Sequence, residues 1–150
     1  AFNTDRYNMI KQILTAIAFL VLCTASISAQ ELIESFDRNR DGKPDRWIYL
    51  SDAAGQVIKT DTNFNGTVDH VLEVDELGQK KYEEQDFNHD GDMDNFYYYG
   101  NGVLLRQEID SNYDGKIDLW IYLDKGVYIK KIERDTDYDG KVDYVKDYQP

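Results

Sequence analysis

From Glu31 onward the chain alternates apolar-rich runs with polar loops, and the alternation keeps one period. Five runs rich in aromatic and β-branched residues begin at Arg46 (RWIYL), His70 (HVLEV), Asn95 (NFYYY), Leu119 (LWIYL) and Tyr144 (YVKDY). More polar runs answer them: QVIKT from Gln56, KKYEEQ from Lys80, VLLRQEI from Val103 and VYIKKIER from Val127, with ELIESF from Glu31 opening the series. Such residues favour strands, and the runs are too short for stable helices. A Gly separates the two runs of each pair, at Gly55, Gly78, Gly102 and Gly126, in turn-like contexts such as ELG and GNG. The pattern predicts an all-β fold: an antiparallel meander of about ten short strands in five hairpin repeats. A coiled open or solenoid-like sheet is the expectation, with a small closed barrel as the alternative. Trp47, Val71, Phe96, Trp120 and Val145 fall on one side, and Ile48, Leu72, Tyr97, Ile121 and Lys146 on the other. Neither face therefore reads as plainly solvated.

The polar loops repeat more strictly than the strands. DRNRDGKPD from Asp37, DTNFNGTVD from Asp61, DFNHDGDMD from Asp86, DSNYDGKID from Asp110 and DTDYDGKVD from Asp135 share one pattern. Oxygen-bearing side chains stand at loop positions 1, 3, 5 and 9, with Gly at position 6. Alternate inward oxygens around a sharp Gly turn are how a chain wraps a hard cation, and the expected ion is Ca²⁺, up to five per chain. A meander places all these loops along one edge, adjacent loops about 9.6 Å apart at about 4.8 Å per strand.

Charge bounds the partners. The chain has 150 residues, a formal net charge of −12 and a pI near 4.5, which excludes nucleic acid as an expected partner. Aromatic residues at 13% argue against a simply disordered acidic chain. Residues 1–29 read differently. Met9-Ile10-Lys11-Gln12, the apolar run Ile13 to Leu22 and the exit CTASISAQ describe a signal peptide, with cleavage after Ala29 making Gln30 the mature start. An uncleaved N-terminal anchor is the alternative, although the apolar run is short for a span. Residues 30–150 form the five-repeat domain, with no membrane span expected in the mature form. Cys23, the single cysteine, resembles the acylated residue of a bacterial lipobox, although Leu22 stands where that motif has a small residue. The expected location is secreted, periplasmic or cell-surface, with lipid anchoring through Cys23 as the alternative.

The loop D-x-[ND]-x-[ND]-G-x-x-D resembles the first nine positions of EF-hand, dockerin, thrombospondin type 3 and integrin-type (FG-GAP) calcium loops. Position 12, where an EF-hand has its closing Glu, holds Ile48, Leu72, Tyr97, Ile121 or Lys146. The integrin-type loop, set in a β-hairpin and closed by the Asp at position 9, is the nearest likeness; the turns also resemble tyrosine-rich YD repeats. The resemblance implies a bacterial exported repeat protein and these side-chain ligands: Asp37, Asn39, Asp41, Asp45; Asp61, Asn63, Asn65, Asp69; Asp86, Asn88, Asp90, Asp94; Asp110, Asn112, Asp114, Asp118; and Asp135, Asp137, Asp139, Asp143. It assigns the position-7 carbonyls of Lys43, Thr67, Asp92, Lys116 and Lys141 to the same shells. Ligand carboxylates number 3, 2, 3, 3 and 4 along the loops, so the second should bind weakest and the fifth tightest.

No GxSxG or HExxH motif is present, and His70 and His89 read as exposed loop residues, so no enzyme is expected. The favoured function is a calcium-rigidified structural or adhesion-type scaffold or spacer. The alternative is a module that binds carbohydrate, such as a surface polysaccharide, or protein through exposed aromatics, with Tyr97, Tyr98, Tyr99, Trp47 and Trp120 as the platform.

Overall fold

The computed structural model describes residues 30–51 and 54–148; the signal-peptide and Cys23 expectations lie outside them. Ten strands follow in chain order: β1 (Leu32–Phe36), β2 (Arg46–Leu50), β3 (Gln56–Thr60), β4 (His70–Val74), β5 (Lys80–Gln85), β6 (Asn95–Gly100), β7 (Val103–Ile109), β8 (Leu119–Asp124), β9 (Tyr128–Arg134) and β10 (Tyr144–Asp147). Each pairs antiparallel with its sequence neighbours, and the sheet order is the chain order. β1 pairs with β2 and β10 with β9, so the sheet stays open and the barrel alternative is set aside. Among the described residues there is no helix, and hence none long and apolar enough to cross a membrane.

The sheet is a single layer, and its burial pattern is inverted. Val57 is the one buried apolar residue among those described. Eight aspartates in the loops, by contrast, are only 2–4% exposed: Asp45, Asp61, Asp69, Asp86, Asp94, Asp110, Asp118 and Asp135. The usual apolar interior is replaced by contacts along each face and by a buried acidic edge.

Register explains how the faces hold. On one face a continuous cross-strand row runs Trp47, Lys59, Val71, Glu84, Phe96, Glu108, Trp120, Glu133 and Val145. Outgoing strands supply apolar rings and branches, and return strands supply charge. Tyr82, Tyr98 and Tyr122 on this face donate their hydroxyls to Glu84, Glu108 and Glu133 at 2.7–2.9 Å. Arg106 and Lys131 lie 4.2 Å from the ring centroids of Tyr98 and Tyr122. Long charged stems thus cover aromatic surface that has no second layer above it.

The opposite face is organised around Glu83, which is 7% exposed. Its carboxylate accepts from His70 Nε2 (2.9 Å), Gln85 Nε2 (3.2 Å), Lys80 Nζ (2.6 Å) and the Tyr99 hydroxyl (2.9 Å). Burial works against its ionisation, but the bonds from Lys80, His70 and Tyr99 prevail and hold the carboxyl below its usual range. His70 is therefore the first residue of β4 and part of this network, not the exposed loop histidine expected from sequence.

The Gly turns do not all need Gly for the same reason. Asn101–Gly102 and Lys125–Gly126 carry consecutive positive φ angles, the backbone of a primed hairpin turn. At Gly55 φ is not positive; a Cβ there would lie 2.1 Å from the Val74 carbonyl oxygen. Its neighbour Ala54 takes the left-handed conformation instead (φ 57°).

Candidate metal centres

All five nine-residue loops fold alike and project from one edge of the sheet. Position 6 is a left-handed Gly in each, with φ between 82° and 105°. Position 4 is left-handed too, at Arg40, Phe64, His89, Tyr113 and Tyr138 (φ 61–64°). A non-Gly residue there costs roughly 1–2 kcal/mol. Side-chain oxygens offset the cost. In every loop the position-1 carboxylate accepts from the amide of the position-6 glycine, at 2.7–2.9 Å. In three it also accepts from the strained position-4 amide, of Arg40, His89 or Tyr113.

The other expected ligands turn inward by the same logic. The side chain at position 3 accepts from the amide of position 5 in all five loops. Position 5 likewise accepts from position 7. The Asp at position 9 accepts from the amide of position 2, at 2.7–3.0 Å. A carboxylate oxygen has two lone-pair directions, so one such bond leaves capacity for a cation. Positions 1 and 9 form a floor, buried except at Asp37 and Asp143; positions 3 and 5 form an exposed rim. The position-7 residues Lys43, Thr67, Asp92, Lys116 and Lys141 lie toward solvent, as expected where only the carbonyl would ligate.

The fifth loop converges most clearly. Carboxylate oxygens of Asp135, Asp137 and Asp143 lie within 4.8 Å of one another, the one such trio of acidic, His or Cys side chains among the described residues. In the other loops position 3 is Asn, a neutral oxygen donor. This donor set, carboxylates and amide oxygens with no soft ligand, suits Ca²⁺.

Like charge is concentrated here. Burial and the charges of Asp86 and Asp90 raise the Asp94 carboxyl above its ordinary value, despite bonds from the amides of Phe87 and Asn88. Asp45 moves the other way. Burial opposes ionisation, but Arg38 and the amides of Arg38 and Asn39 hold its carboxyl low. The Arg38 guanidinium lies 2.6 Å from Asp45 Oδ1, so the first loop supplies a cation of its own. Positions 2 of the other loops, Thr62, Phe87, Ser111 and Thr136, carry no charge.

Adjacent loops are joined. The position-1 amide donates to the position-9 carbonyl of the loop before: Asp61 to Asp45, Asp86 to Asp69, Asp110 to Asp94 and Asp135 to Asp118, at 2.8–2.9 Å. Position 4 leans on the preceding loop as well. Phe64 packs beneath Arg38 (5.5 Å), and His89 Nδ1 approaches Asp69 Oδ2 at 3.5 Å. His89 is exposed, as its loop position suggested, yet it contacts a candidate ligand. A further regularity, at position 8, is not evident from the ligand pattern. Pro44, Val68, Met93, Ile117 and Val142 there are all apolar, and Met93 and Ile117 line a groove with Phe96, Tyr82 and Tyr98.

No family model and no curated protein matches the sequence. Among solved structures the chain is similar to the crystal structure of accessory secretory protein 1, 2 and 3 in Streptococcus pneumoniae, at 15% identity and a TM-score of 0.42. The match covers 69% of this chain and 19% of that one, so the chain spans about a fifth of its length. A likeness this slight bears on neither fold nor function.

Proposed function

We propose that this chain is an exported calcium-binding structural repeat protein, a scaffold or spacer in which cations along one edge do the work of the missing apolar core. The observation that carries this is the burial of eight loop aspartates to 2–4% exposure in a sheet with one buried apolar side chain among the described residues. Burying ionised groups costs several kcal/mol each unless charge compensates them. In each loop, positions 1, 3, 5 and 9, with the position-7 carbonyl, would hold the ion. When bound, Ca²⁺ supplies positive charge to the floor, which in the first loop is partly met by Arg38.

A sugar-stacking platform is less well supported. Arg106 and Lys131 already lie over the Tyr98 and Tyr122 rings, and the hydroxyls of both are bonded to Glu. A catalytic role is no part of the proposal, because the carboxylates recur in five equivalent loops, which suits ligation better than one active site.

Isothermal titration with Ca²⁺ and Mg²⁺ tests the reading. Uptake approaching five Ca²⁺ per chain, with weak Mg²⁺ binding, is expected. No heat and no uptake by equilibrium dialysis would overturn it.

A further inference from the structure

The two edges of the sheet are of opposite kinds. Within the chain, each outgoing strand pairs with the return strand that follows in one register: Trp47 opposite Lys59, Val71 opposite Glu84, Phe96 opposite Glu108 and Trp120 opposite Glu133. β1 is a return strand, leading into its loop as β3, β5, β7 and β9 do. Among the described residues no outgoing strand lies on its other side. β10 is an outgoing strand with no return strand beyond it among those residues.

We propose that β10 of one copy pairs with β1 of a second copy, antiparallel and head to tail, in the register the chain uses four times within itself. That register sets Val145 opposite Ser35, Tyr144 opposite Phe36 and Lys146 opposite Glu34. Opposite charges and an aromatic pair thus meet directly across the junction, each a stabilising cross-strand combination. All six residues are exposed, Phe36 at 38%, Tyr144 at 45% and Val145 at 59%.

The loops point to the same junction independently. Asp37 is the only exposed member of the position-1 set, and Asp143 the only exposed member of the position-9 set. Their counterparts are covered where one loop abuts the next, joined by the position-1 amide and position-9 carbonyl. Pairing β10 with β1 sets Asp37 of one copy against Asp143 of the other in that same relation, and covers both. Like-with-like pairing opposes equal charges when centred on Glu34 or Lys146, and in no register does it set Asp37 against Asp143. A bulge between Leu32 and Glu34 restricts the contact to the loop-proximal end of β1. The contact is heterologous, so it builds a line of copies, or a ring where the rotation between copies closes.

The test uses the full chain in the presence of Ca²⁺. Sedimentation velocity over rising concentration is expected to show growing end-to-end species. Glu34→Lys and Lys146→Glu should each weaken association about tenfold, and the double exchange should restore it. In a Cys23→Ser background, Phe36→Cys mixed with Tyr144→Cys should give a disulfide-linked heterodimer, and neither variant alone should crosslink. A monomer at every concentration would overturn the proposal. So would charge exchanges without effect, or self-crosslinking of Phe36→Cys, which would mean β1 pairing with β1.

Discussion

At the scale of single residues, the loops share a ligand pattern but not the same electrostatics. Asp135, Asp137, Asp139 and Asp143 give the fifth loop four carboxylates, and three of them already converge. The second loop substitutes Asn63 and Asn65. Asp135→Ala should therefore abolish a tight site and Asp61→Ala a weak one; equal losses in calorimetry would contradict that order. Arg38 adds a distinction that counting acids misses. Its guanidinium already pairs with Asp45, so on the proposed function Arg38→Ser should raise the affinity of the first loop, despite an unchanged ligand set. Glu83 offers a pH test away from the loops. Its folded pKa lies below the ordinary 4.5, so its contribution is complete above that value and is lost as pH falls through the lowered one. Glu83→Gln should cost roughly 1–3 kcal/mol at neutral pH. The gap between the thermal midpoints of wild type and variant should close below about pH 4.5.

At the scale of elements, the ten strands, their order and their antiparallel pairing were legible because hydrophobic runs, Gly turns and loops kept one period. Openness was the favoured reading, with closure left as the alternative. Whether a meander closes depends on twist and stagger accumulated over the whole sheet, and no local run encodes that. The burial of Glu83 was also hidden: KKYEEQ looks like a solvated strand, and only register brings His70 and Tyr99 to it. Position 4 carried no signal of its own, since Arg, Phe, His and Tyr do not advertise a left-handed backbone; the cue lay in the flanking Asp and Gly, whose bonds impose it. Gly55 shows a shared letter with a different cause. Gly55→Ala drives a Cβ into the backbone oxygen of Val74, and a backbone atom cannot swing aside. A loss of roughly 1–3 kcal/mol is expected in thermal unfolding. An unchanged midpoint would show that the β2–β3 turn can shift.

At the scale of the molecule, the proposed function ties folding to charge. Residues 30–150 carry 28 acidic groups (29 less Asp5) and 15 basic ones (17 less Arg6 and Lys11), a formal −13 that five Ca²⁺ would bring to −3. Ions that bind the folded form stabilise it by mass action. Excess chelator should therefore collapse the β signal in circular dichroism, with recovery on readdition; an unaltered spectrum and melting point would refute the linkage. The amide-to-carbonyl bonds between successive loops add a further consequence. Each loop is held by its immediate neighbours, so the array behaves as a one-dimensional zipper in which an ordered unit favours order in the next. Falling calcium should then empty the second loop first, and the opening should spread from it into the loops that abut it. Protease nicks should appear first in the β3–β4 segment, and the fifth loop, between β9 and β10, should be the last to yield.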